Sequence, residues 1–117
     1  DRAEPLLQRG LEGCERMLGP DHPNTLSSVN NLGILLRSKG DFEGAEPLLR
    51  RALEGNERVL GSDHPDTLAS ANNLGDLLQD KGDFAGAEPL RLASAGPARG
   101  FLRRLVHGRD GEDPKPG

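Results

Sequence analysis

The chain has no tryptophan, no tyrosine, three phenylalanines and one cysteine in 117 residues. Only 33% of it is apolar. Each scarcity argues against a class of protein. Without aromatic bulk a thick globular core is not expected, since large side chains supply much of the area such a core buries. The lone Cys14 forms no internal disulfide, which argues against a cross-linked secreted scaffold and for a reducing compartment, the cytoplasm. No apolar run approaches the roughly 18 residues of a membrane span, and no charged start leading into an apolar stretch suggests a signal peptide. Acidic residues outnumber basic ones, 19 to 15. With a pI near 5.3 there is no basic field for a phosphate backbone, so nucleic acid is not an expected partner.

What is present is repetition. Residues 3–48 recur as residues 45–90 at an offset of 42, with 34 of the 46 aligned positions identical. A register this strict predicts stacked units, because a solenoid tolerates a thin core when each unit buries its apolar stripe against its neighbours. The unit reads DHPxTLxSxxNNLGxLLxxKGDFxGAEPL and continues, on the first pass, LRRALEGNERVLG.

Leu26, Val29, Leu32 and Leu36 step by three and four and so trace one face of a helix. Pro23 suits its first turn, Asp21 or His22 can cap it, and Gly40 suits its left-handed end. Asp41 opens a second helix whose apolar members are Phe42, Ala45, Leu48, Leu49, Ala52, Leu53 and Leu60. Pro47, repeated as Pro5 and Pro89, is expected to bend that helix, and Gly55 weakens it. Two antiparallel helices joined by a tight KGD turn form the unit. The expected organisation is the second helix of an incomplete repeat (1–19), a full repeat (20–61) and a second repeat with a shortened second helix (62–95). Phe101, Leu102, Leu105 and Val106 then fall on one side of an amphipathic capping helix at 96–107, or that stretch is an altered end with little structure. Residues 108–117 read as a disordered tail.

The spacing of Leu32, Gly33, Leu36, Ala45 and Leu49 resembles the tetratricopeptide pattern. The 42-residue period and the NNLG, GDF, AEPLL, RAL and GxDHP strings resemble the kinesin light chain type of that repeat, over residues 1 to about 90. The general motif's aromatic positions are held here by Leu36, Leu78 and Leu49. The resemblance implies an all-α fold, an α-solenoid of antiparallel helix pairs wound as a right-handed superhelix. It also implies a noncatalytic adaptor whose first helices line a concave groove for a protein or peptide partner, with Asn30, Asn31, Asn72 and Asn73 as candidates to bind peptide backbone.

The residues themselves leave two readings open. A carboxamide both donates and accepts, so it can pair with any peptide group; asparagines repeated in each unit can equally form a ladder that fixes stacking register. Ile34 and Arg37 lie beside the pair in the first unit, Asp76 and Gln79 in the second, and these changing positions are where selectivity would be written or where drift is harmless. The candidate partner-binding set is therefore Asn30, Asn31, Ile34, Arg37, Asn72, Asn73, Asp76 and Gln79.

Other constellations are weaker. His22 with Asp21, and His64 with Asp63, sit beside prolines at helix entrances and read as caps, not metal ligands. Glu46 and Glu88, with Arg50 and Arg51 near a turn later, read as surface ion pairs. Cys14 aligns with Asn56 and is expected at a variable exposed position. No catalytic, cofactor or metal site is expected. The function this implies is a protein–protein interaction module, with a sensor or oligomerisation segment of a larger signalling NTPase as the alternative. Exposed Leu6, Leu7, Leu11 and Leu18 on an unpaired first helix would favour self-association.

Overall fold

The computed structural model describes residues 2–95, and the capping helix and tail expected at 96–117 lie outside them. All regular structure among the described residues is helical: α1 (Ala3–Leu18), α2 (Pro23–Ser38), α3 (Phe42–Leu60), α4 (Pro65–Asp80) and α5 (Phe84–Ala95). Each helix packs on the next in sequence, and the chain is an α-solenoid. One further contact breaks that simple succession: among the described residues the backbones of α2 and α4 approach each other directly, while those of α1 and α3, or α3 and α5, do not, and α1 meets α3 through side chains, as at Glu15 and Arg51.

The hairpin turn explains why its residues recur. At the end of α2, Gly40 sits at φ +86, open to glycine at no steric cost. Its N–H donates to the Arg37 carbonyl and the Asp41 N–H to the Leu36 carbonyl, the bond pair of a Schellman stop. The next residue then begins a helix: Asp41 Oδ1 accepts from the Gly44 N–H at 3.0 Å. Gly82, Asp83 and Gly86 repeat the arrangement. A Cβ on Gly44 would stand 2.5 Å from the Asp41 carboxylate as it is placed, so a side chain there would oblige the capping carboxylate to shift. At the other turn His22 caps α2 and His64 caps α4, each through Nδ1 accepting a backbone N–H at 3.0 Å. Pro23 and Pro65 follow at the first helical position, where no donor is lost. The helices run uninterrupted through Pro47 and Pro89.

The core follows the predicted stripe. Leu26, Val29, Leu32 and Leu36 of α2 are buried, as are Ala45, Leu49, Ala52 and Leu53 of α3. With glycine and leucine lining their contact, the helices gain density by close approach: a Cβ on Gly33 would stand 2.7 Å from Leu49 Cδ2, and one on Gly55 would stand 2.5 Å from Leu26 Cδ2. Glycine thus receives leucine at both ends of the α2–α3 contact. Two hydroxyls, Thr25 Oγ1 and Thr67 Oγ1, are buried with no hydrogen-bond partner among the described residues.

The glycine contacts make a discriminating prediction. Gly33→Ala gains about 1 kcal/mol of helix propensity but drives a methyl into buried Leu49, an overpacking cost of about 1–3 kcal/mol, so denaturant unfolding should give a net loss of stability. Gly75→Ala has more room, with Arg91 Cγ at 3.0 Å and Leu90 Cβ at 3.4 Å, and should cost less stability than Gly33→Ala. Equal effects would mean that the α2–α3 approach is not tight.

Candidate functional site

Asn30, Asn31, Ile34 and Arg37 are carried by α2, and Asn72, Asn73, Asp76 and Gln79 by α4. The direct approach of the two helices brings part of this set together. Asn73 Nδ2 donates to Asn30 Oδ1 at 3.2 Å, a bond between the second asparagine of one unit and the first of the preceding one. Seven residues on in each helix, two turns, Arg37 Nε bonds Asp80 across the same seam. Asp80 raises the Arg37 pKa, chiefly through that hydrogen bond.

The remaining candidates divide. Asp76 Oδ1 and Gln79 Oε1 both accept from Nη1 of Arg91, at 2.9 and 2.8 Å. Asn31 and Asn72 are exposed and Ile34 is 38% exposed. Asn72 opens on a cleft of about 540 Å³ between α4 and α5. By register, Asn31 matches Asn73 and Asn72 matches Asn30, so the two exposed asparagines are the outward halves of the Asn30–Asn73 rung.

Sequence reasoning gave Arg91 no role. It occupies the place of buried Leu49: its Cγ lies over Gly75 as the Leu49 side chain lies over Gly33, and its guanidinium continues to the surface. Three substitutions therefore belong together, since Ile34, Arg37 and Leu49 become Asp76, Gln79 and Arg91. The signal was the coincidence of changes at three positions that a helix pair brings into contact.

Two expectations are corrected. Cys14 is half-buried, not exposed, with Sγ 3.7 Å from Ser28 Oγ between α1 and α2. Its counterpart Asn56 is buried and donates to Ser70 Oγ at 2.8 Å between α3 and α4. The position varies because it meets a serine that accommodates either partner. Nor does Arg51 pair with Glu46; it reaches back to Glu15 of α1 at 2.8 Å. Glu46 instead takes Arg50 at 2.9 Å and Lys81 from the following turn. Lys39 and Glu4 make the equivalent of the Lys81 contact one unit earlier. Hydrogen bonds from Lys81 and then Arg50 hold the Glu46 carboxyl below the usual carboxylate range, and Glu46 holds the Lys81 ammonium above its usual value.

Among the described residues no group of three or more His, Cys, Asp or Glu side chains could hold a metal ion, and no helix is long and apolar enough to cross a membrane. The family model described as tetratricopeptide repeat matches residues 1–24, 25–66 and 67–91. The matched units keep the 42-residue spacing, and the chain belongs to the tetratricopeptide repeat family, whose members are generally noncatalytic protein–protein interaction modules. No curated protein matches the chain.

Two measurements follow from this geometry. A double-mutant cycle of Asn30→Ala and Asn73→Ala should give a coupling of about 0.5–1.5 kcal/mol in unfolding free energy, the net value of one such bond; zero coupling would remove the rung. A carboxyl depressed in the folded state contributes stability that is present above its unfolded pKa and lost as pH falls through the folded value. The melting temperature of the wild type should therefore fall more steeply below about pH 4.3 than that of Glu46→Gln, and parallel curves would contradict the Lys81 and Arg50 bonds.

Proposed function

We propose that the chain is a noncatalytic adaptor segment of the kinesin light chain type, which holds an extended peptide along the side shared by α2 and α4. The observation carrying this reading is the direct approach of α2 and α4, with no such approach between α1 and α3 or between α3 and α5. A stack whose first helices stand closer together than its second helices curves toward the first, so α2 and α4 line the inner surface. On that surface Asn31 and Asn72 offer free carboxamides and Ile34 an apolar contact, while Asn30, Asn73, Arg37, Asp76 and Gln79 are engaged with protein partners and frame the groove. Two carboxamides contribute about 1 kcal/mol per net hydrogen bond, so the affinity they confer by themselves is weak. The unpaired Cys14 and the lack of a long apolar helix among the described residues fit a cytoplasmic setting.

Self-association through α1 is a second reading with its own support. Leu6 and Leu18 are exposed at 63% and 44%, whereas Leu11, expected on the open face, is buried in the core and Leu7 packs against it; space stands open beside Gly13, where the equivalent Gly55 receives Leu26. Sedimentation across concentration tests it, and a monomer at every concentration would reject it.

For the groove, peptides selected from a random library on the full chain should bind Asn31→Ala with Asn72→Ala about 5–30-fold more weakly, as expected for the loss of one to two hydrogen bonds at roughly 1 kcal/mol each. Unchanged affinity for every selected peptide would remove the asparagine assignment.

A further inference from the structure

The seam between α2 and α4 does not close over its whole length. In the first halves of the two helices a space of about 100 Å³ remains, walled by Ser27 and Asn30 of α2 and by Asp66 and Ser70 of α4, with Asn56 of α3 behind them. It lies beside the Asn30–Asn73 rung, and its walls come from three consecutive helices of the stack.

Asn56 is only 6% exposed, and its amide nitrogen is engaged: Nδ2 donates to Ser70 Oγ at 2.8 Å and, more weakly, to the Asp66 carbonyl at 3.5 Å. A carbonyl can only accept, which fixes the end of the carboxamide that carries the hydrogens. Asn56 Oδ1 is thereby left without a donor among the described residues, an unfavourable state for a buried acceptor. Ser27 Oγ and the Asp66 carboxylate line the same space, and neither has a hydrogen-bond partner among the described residues.

Two substitutions create this chemistry. Asn56 stands where the preceding unit has Cys14, and Asp66 where it has Asn24. One adds a carbonyl acceptor and the other a negative charge, at positions that only the stacking of one unit on the next brings together.

We infer that this space is a subsite for a primary ammonium, the terminus of a lysine side chain in the partner peptide. The peptide as its source rests on the groove reading above, whereas the subsite stands on its own geometry. An ammonium carries three donors and no acceptor, the complement of Asn56 Oδ1, Ser27 Oγ and the Asp66 carboxylate. A guanidinium spreads its donors in one plane and suits a fork of acceptors, but these acceptors come from three separate helices. Water can donate to Asn56 Oδ1 but brings no counter-charge to Asp66.

The experiment titrates the full chain, at neutral pH under reducing conditions, with n-butylammonium chloride and with n-butanol as the uncharged control. The side-chain amide signals of Asn56 and Asn30 should shift saturably with the ammonium and not with the alcohol. Asp66→Asn and Asn56→Cys each install the residue of the first unit, where Cys14 still meets Ser28, so the fold is kept. Each should weaken ammonium binding about fivefold or more, as expected for the loss of a hydrogen bond to a charged group. Peptides selected from a random library on the full chain should be enriched in lysine at one position, and selection on Asp66→Asn should remove that enrichment. Shifts that fail to saturate, or that are equal for alcohol and ammonium or for wild type and Asp66→Asn, would leave water as the occupant and overturn the inference. Selected peptides with no lysine preference would overturn it too. Butylammonium reads the subsite without the groove, so failure to select any peptide would reject the groove reading while the titration still decides the subsite.

Discussion

Everything in this molecule depends on how closely two helices whose contact is lined by glycine and leucine can approach. Leu49 over Gly33 and Leu26 against Gly55 let backbones come near enough for single leucines to fill the space that an aromatic residue would otherwise occupy. That approach sets the position of α2 against α3, and the position of α2 sets where α4 lies against both. The α2–α4 seam is thus a consequence of packing two layers beneath it. Where Arg91 replaces Leu49, the stem preserves the contact with Gly75 and the head turns the same position into a polar one.

The polar contacts obey the same translation as the backbone. Cys14 with Ser28 becomes Asn56 with Ser70, and Lys39 with Glu4 becomes Lys81 with Glu46. Individually, exposed ion pairs of this kind contribute roughly 0–1 kcal/mol. Their regularity matters more than their strength, because each contact is satisfied only when adjacent units are in one register. The Asn30–Asn73 bond belongs to this set, and it takes up the register-fixing role open to a repeated asparagine.

Helix identity, turn positions and the apolar stripe were legible because each is local. The steps of three and four through Leu26 to Leu36, the glycine with φ +86 at Gly40 and the histidine–proline entrances all follow from backbone chemistry within a few residues. The burial of position 14 and its counterpart was not legible, since the contact to Ser28 or Ser70 spans fourteen residues, and a varying side chain reads as a surface one. Arg51 was assigned to the nearest carboxylate in sequence, whereas its partner Glu15 stands on a different helix. The eight candidate site residues could not be divided from the sequence. Which asparagine is spent on its neighbour depends on the offset between two helices, a quantity no single unit contains.

Asp41 belongs at once to the stop of α2 and the start of α3, and Asp83 does the same for α4 and α5. Such a doubly pinned elbow leaves the hairpin little freedom to open or twist. The seams between hairpins are closed by the same apolar core, which runs unbroken from Leu11 to Ala93, with amide and ionic contacts at their edges. An array of such units therefore shares one apolar spine, and its stiff elbows are tied to each other through that spine as well as through the polar contacts at its surface.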